Sequence, residues 1–187
     1  MGLNSRLTVI ACVLALSAGV ACDARAQNRD LPVLIEAAGA YVVTTGSYSD
    51  LVKNGWGAQG LIGYNFARQV WLMGNFAVNW HEGEGDLPTW QNYAYFGMLG
   101  YDALPPNTNG DIIFYVGAGG VTFVPDADEV DSRTYFGLSG GLKIAYDFSP
   151  RMALTVTASA AAAFSEEDFN GGTTWFFPLG AGVAVRL

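Results

Sequence analysis

His81 is the chain's single histidine, and it opens the run His81-Glu82-Gly83-Glu84-Gly85-Asp86, in which imidazole and carboxylates alternate with glycine. These residue types at this spacing could supply a general base, or ligands for a divalent cation. No second histidine and no positioned nucleophile accompanies them, so a solvated acidic loop is the expectation. Asp126, Asp128, Glu129 and Asp131, with Glu166, Glu167 and Asp168, form two further acidic groups that could together hold Ca²⁺ or Mg²⁺. Their spacing does not match an EF-hand loop, and solubilising loop charge is the simpler reading. Cys12 and Cys22 are the only cysteines. No catalytic, cofactor-binding or metal-binding residue is therefore assigned.

The elements that must carry these loops are legible in the last stretch of the chain. From Thr173 to Leu187, Trp175, Phe177, Leu179, Ala181, Val183, Val185 and Leu187 alternate with Phe176, Pro178, Gly180, Gly182, Ala184 and Arg186. Such period-two alternation is a long β-strand with two chemically different faces. A last strand with an apolar face avoids an exposed edge by pairing with the first strand, which closes a barrel.

The preceding residues supply the other strands. They are expected over Val33 to Thr44, Gly55 to Phe66, Val70 to Trp80, Trp90 to Leu104, Asp111 to Val124, Arg133 to Phe148 and Met152 to Phe164. In the fifth, Ile112, Ile113, Phe114, Tyr115 and Val116 are apolar without alternation, so its faces stay unassigned. The alanine-rich seventh could be helical on propensity, but the alternation of Thr155, Thr157 and Ser159 favours strand. Connections after the first, third, fifth and seventh strands are long and polar, those after the second and sixth are tight, and the one after the fourth is an intermediate proline-rich turn. Both termini then lie at the end with the short turns.

Composition narrows the class. Of the 187 residues, 51% are hydrophobic and only 14% charged, against roughly 25% charged in ordinary soluble domains. A formal charge of −8, with no basic patch, argues against nucleic acid as a partner. The amino terminus reads as an export signal over residues 1–26: Arg6, an apolar core from Leu7 to Val20, and the cleavage pattern Ala24-Arg25-Ala26. Residues 27–187 form the mature domain, which keeps neither cysteine and so has no disulfide.

Alternation alone does not say which face points outward. The less apolar faces carry Glu36, Gln59, Asn65, Asn75, Asn79, Asp102, Lys143, Asp147, Thr155, Thr157, Ser159 and Arg186 between small residues, too little charge for a solvent surface. They suit a crowded polar interior, and the faces rich in Tyr, Trp, Phe, Leu and Val suit lipid. Trp56, Trp80, Trp175, Tyr64, Tyr101 and Tyr146 fall near strand ends, where interfacial girdles form. Glu36 and Arg186, inward on adjacent closing strands, are expected to pair, with Lys143 and Asp147 nearby. A lumen eight strands wide is filled by side chains.

The signal segment, Gly60-Leu61-Ile62-Gly63-Tyr64-Asn65-Phe66 before a tight turn, Gly140-Gly141-Leu142-Lys143-Ile144-Ala145-Tyr146-Asp147-Phe148 before another, and the alternating terminus resemble the small eight-stranded outer-membrane β-barrel proteins of Gram-negative bacteria. Family members usually finish with Phe or Trp; this chain finishes with Leu187. The resemblance implies an all-β, eight-stranded, antiparallel, up-and-down transmembrane barrel behind a cleavable signal peptide. It places the protein in the outer membrane as a monomer among lipid and lipopolysaccharide. Three roles follow as alternatives. The first is a non-enzymatic barrel that is structural or presents acidic loops to a surface partner, without cofactor. The second is a narrow passive pore or hydrophobic-ligand conduit. The third is a lipid-modifying enzyme, although barrels that act on lipid acyl chains use His with Ser and no His-x-Ser occurs here.

Overall fold

The computed structural model describes residues 31–67, 69–105, 108–126, 132–164 and 172–187. The expected signal segment lies outside them, as do Asp128, Glu129, Asp131, Glu166, Glu167 and Asp168. Eight strands follow in order: β1 (Val33–Gly46), β2 (Gly55–Ala67), β3 (Val70–His81), β4 (Trp90–Asp102), β5 (Gly110–Pro125), β6 (Arg133–Ser149), β7 (Met152–Phe164) and β8 (Thr173–Arg186). Each pairs antiparallel with the next, and β8 returns to β1, so the sheet closes. The alanine-rich segment is strand, as its threonine alternation requires: tertiary pairing with β6 and β8 overrides helix propensity.

The closing seam runs from Leu34↔Arg186 to Gly46↔Thr174. Val33 and Leu187 complete it by exchanging backbone hydrogen bonds of 3.1 and 2.9 Å. The seam leaves no strand edge, which hydrocarbon demands because an unpaired N–H or C=O finds no water there. The shortest strand, β3, has 12 residues and the longest, β6, has 17. About ten tilted residues span a bilayer, so the strands cross it with some to spare.

The two faces divide as the alternation required. Outward residues such as Ile62, Leu72, Phe76, Leu99, Phe136 and Leu179 are more than half exposed, and Val116 is 68% exposed. Inward, Glu36, Asp102, Asp111, Lys143 and Arg186 are all buried. Apolar side chains outside and charges inside is the inverse of a soluble barrel, and it fits only a surrounding of lipid. Aromatic rings mark both rims: Tyr64, Tyr101 and Tyr146 at the turn end, Tyr41, Trp56 and Trp175 at the loop end. Tyr41 and Trp56 meet edge to face at 4.9 Å.

Pairing with β4 and β6 also assigns β5. Asp111, Ile113, Tyr115, Val121 and Phe123 fill the lumen, while Ile112, Phe114, Val116 and Val124 face out. Its inward residues are nearly as apolar as its outward ones, which erased the period in the sequence.

An outward position near the middle of β5 gives a direct check. Val116→Arg is expected to cost about 2 to 4 kcal/mol in urea unfolding from lipid vesicles. Leu87→Arg, at an exposed leucine in the loop after β3, is expected to leave stability unchanged.

Candidate functional site

The inward residues form three layers along the lumen. At the turn end, β8 brings Arg186 among carboxylates from β5 and β6. Its guanidinium pairs with Asp111, and its Nε and Nη2 donate to Asp147 Oδ1 at 3.0 and 2.9 Å. Beside it, Asp102 Oδ1 accepts from the backbone N–H groups of Leu104 and Ile112 at 3.0 and 3.1 Å. That carboxylate pins the intermediate turn between β4 and β5, as an Asx side chain commonly does.

In the middle layer Lys143 of β6 pairs with Glu36 of β1, both out of reach of water. The expected Glu36 to Arg186 pair is thus replaced by an exchange of partners. The register explains it: Arg186 lies opposite Leu34 and Glu36 opposite Ala184, so the arginine sits closer to the turn end and reaches Asp111 and Asp147 there. Asp111 becomes a partner because pairing of β5 with β4 and β6 turns its side chain inward. All four residues of the expected cluster nevertheless point inward, as strand parity demands.

Above the ion pair, Asn79 donates to Asn92 Oδ1 at 2.6 Å, joining β3 to β4 across the lumen wall. A void of about 40 Å³ lies among Glu36, Gln59, Asn75, Asn92, Ser139 and Thr157. A void of this size holds at most a few water molecules and is not a channel.

The loop end is closed by aromatic rings. β1 ends at Gly46, whose φ of +86° turns the chain inward into a short 3-10 turn, Ser47–Asp50. A Cβ at Gly46 would stand 2.3 Å from the Thr173 carbonyl oxygen, so the turn needs glycine for space as well as for conformation. The turn drops Tyr48, fully buried, between rings of four strands. It meets His81 at 5.9 Å, Trp90 at 5.7 Å, Phe123 at 4.8 Å and Phe176 at 6.1 Å between centroids. Burial pushes the Tyr48 phenol well above its ordinary value, which keeps it neutral.

His81 belongs to this layer, which corrects the expectation of a solvated loop residue. β3 continues one residue past Trp80, and Trp71, Met73, Asn75, Ala77 and Asn79 set the parity that turns His81 inward. The continuation is held by the loop after β1. Val52 bridges to Gly83, Lys53 N–H donates to Glu82 O at 2.8 Å, and Glu84 N–H donates to Leu51 O at 2.9 Å. Glu82, Glu84 and Asp86 remain exposed and do not gather around the imidazole. Among the described residues no group of three or more metal-ligating side chains forms. The signal for His81 was present in the sequence as parity; the acidic residues that follow it disguised the strand's true end.

These layers and the apolar outer face define a class: a membrane-spanning eight-stranded β-barrel with a filled lumen. No family model matches the chain, and no curated protein matches its sequence. Solved structures match it by fold. Neisserial surface protein A, NspA, aligns with a TM-score of 0.66 at 14% identity over 83% of this chain and 97% of that one. The outer membrane protein OprG from Pseudomonas aeruginosa aligns at 0.60 and 13% over 83% and 95%. The amino-terminal β-barrel domain of Pseudomonas aeruginosa OprF aligns at 0.53 and 17% over 84% and 98%. The chain has the fold of the small eight-stranded outer-membrane β-barrel proteins, and its apolar belt suits the membrane in which that fold resides.

The middle layer carries a prediction. Lys143→Met strands the Glu36 carboxylate in the lumen and is expected to cost about 3 to 5 kcal/mol in urea unfolding. Adding Glu36→Gln removes the stranded charge and is expected to recover most of that loss. Equal losses in the single and double variants would show that the two residues do not act as a pair.

Proposed function

We propose that this protein is a non-enzymatic outer-membrane barrel that supports the envelope and meets surface partners through acidic extracellular loops. The observation that carries the reading is the occupied lumen. Aromatic rings close one end, ionic groups crowd the other, and about 40 Å³ lies between. Chemistry directed at a partner is then left to the rim, where Glu82, Glu84, Asp86 and Asp126 are exposed. In this reading the long loops face outside, the termini and short turns face the periplasm, and residues 1–26 leave as the signal peptide. The monomer acts without cofactor, with outer-membrane lipid and lipopolysaccharide around it.

The same occupancy weighs against a passive pore or conduit. A lipid-modifying activity is weakened by the placement of His81, whose ring lies beneath Tyr48 and away from the lipid face.

The test combines location with conduction. In the isolated outer-membrane fraction, an unheated sample is expected to run faster on a detergent gel than a boiled one, because a closed barrel resists the detergent. In planar bilayers at neutral pH the purified protein is expected to give no stable conductance steps. Recovery from the soluble periplasm without a mobility shift would refute the location, and reproducible steps would favour the pore.

A further inference from the structure

His81 is an ionisable group in a place with no use for its charge. It is fully buried, with the Tyr48 ring edge-on at 5.9 Å and Phe176 tilted at 6.3 Å. Its Nδ1 lies 3.1 Å from the carbonyl oxygen of Lys53. That oxygen can only accept, so the ring donates from Nδ1, and the neutral tautomer leaves Nε2 as the bare nitrogen. Among the described residues Nε2 meets no hydrogen-bond partner. A proton added there would give a second N–H with no acceptor and a positive charge walled by rings.

The ring also sits at the joint that keeps the loop after β1 folded in. Lys53 is tied twice, its N–H to Glu82 O and its carbonyl to His81. On the β2 side the ring is accommodated by Gly55, where a Cβ would stand 2.6 Å from Nδ1. No side chain can grow from that position to stabilise the imidazolium. The other groups facing it offer little: Tyr48 presents its ring, Phe176 carries no charge, and the side chains of Lys53 and Glu82 are exposed to solvent.

We propose that the segment 47–54 is an acid-released lid over the lumen, in which protonation of His81 breaks the seat of Tyr48 and frees the loop around Lys53. The sign follows from linkage. The closed lid holds the neutral ring and the open lid exposes it to water, where it binds a proton at its ordinary value near 6.5. Closure is therefore favoured above that value, and opening gains as the pH falls below it, by up to about tenfold in the equilibrium constant per pH unit. Gly46, with its positive φ, is the hinge on the β1 side.

Limited trypsin digestion of the barrel in lipid vesicles reads the lid directly, because the exposed Lys53 side chain sits on a backbone that must unpair before it can be cut. Cleavage after Lys53, quantified by mass spectrometry, is taken as the ratio of the wild-type protein to His81→Gln in the same buffer. Glutamine can donate to the Lys53 carbonyl but cannot titrate, so it cancels the protease's own pH dependence. His81→Phe, which fills the same space without titrating, is a second reference, and the gel-mobility shift confirms that each variant has folded. The ratio is expected to be near one at pH 8 and to rise several-fold, approaching tenfold per unit, between pH 6.5 and 5.5. A ratio that stays flat over that range overturns the proposal, as does rapid cleavage at Lys53 already at pH 8.

Discussion

The pairing of β1 with β8 is the contact on which everything else in this molecule depends. In hydrocarbon an unpaired strand edge has no water to turn to, and each open N–H or C=O costs several kcal/mol. The seam from Leu34↔Arg186 to Gly46↔Thr174 removes both edges at once. Once it forms, every inward side chain is committed to a lumen only eight strands wide, and every outward one to lipid. The charges Glu36, Lys143, Asp111, Asp147 and Arg186 follow from that commitment as a packing problem: they must find one another across the lumen or remain unpaired at high cost.

The solution differs along the barrel axis. At the turn end, where both termini and the short connections gather, one arginine serves two carboxylates while Asp102 holds the backbone of the adjacent turn. In the middle, the Lys143–Glu36 ion pair spans the lumen from β6 to β1, and an asparagine pair links the neighbouring strands β3 and β4. At the loop end the filling becomes aromatic, and part of it comes from outside the strands, since Tyr48 is carried in by the turn Ser47–Asp50. The gradient from ionic to aromatic leaves the strand scaffold uniform and concentrates the local differences at the mouth.

Much of this was legible in particular residues. Alternation in β8, β6 and β7 announced long strands with unlike faces, and the scarcity of charge on the inner faces told lipid from water outside. Parity placed Glu36, Lys143, Asp147 and Arg186 in the lumen before any pairing was known. The partner of each was not legible, because neighbours along a closing seam are set by register, and a shift of two residues exchanges Arg186's partners without moving any residue to the other face. The inward place of His81 is hidden in the sequence for a related reason. Its strand ends one residue later than the loop composition suggests, held there by the backbone pairing of Leu51, Val52 and Lys53 with Glu84, Gly83 and Glu82.

The sequence by itself determined the strand count, the inside and outside of the wall, and its surroundings of lipid, because each depends on a period of two and on the chemistry of single residues. Tertiary structure alone decided which ions pair, which way β5 faces, and that the loop after β1 folds inward to seat Tyr48 against His81. Those outcomes depend on the shear of the closed sheet and on contacts between distant segments, and neither leaves a periodic mark in the chain.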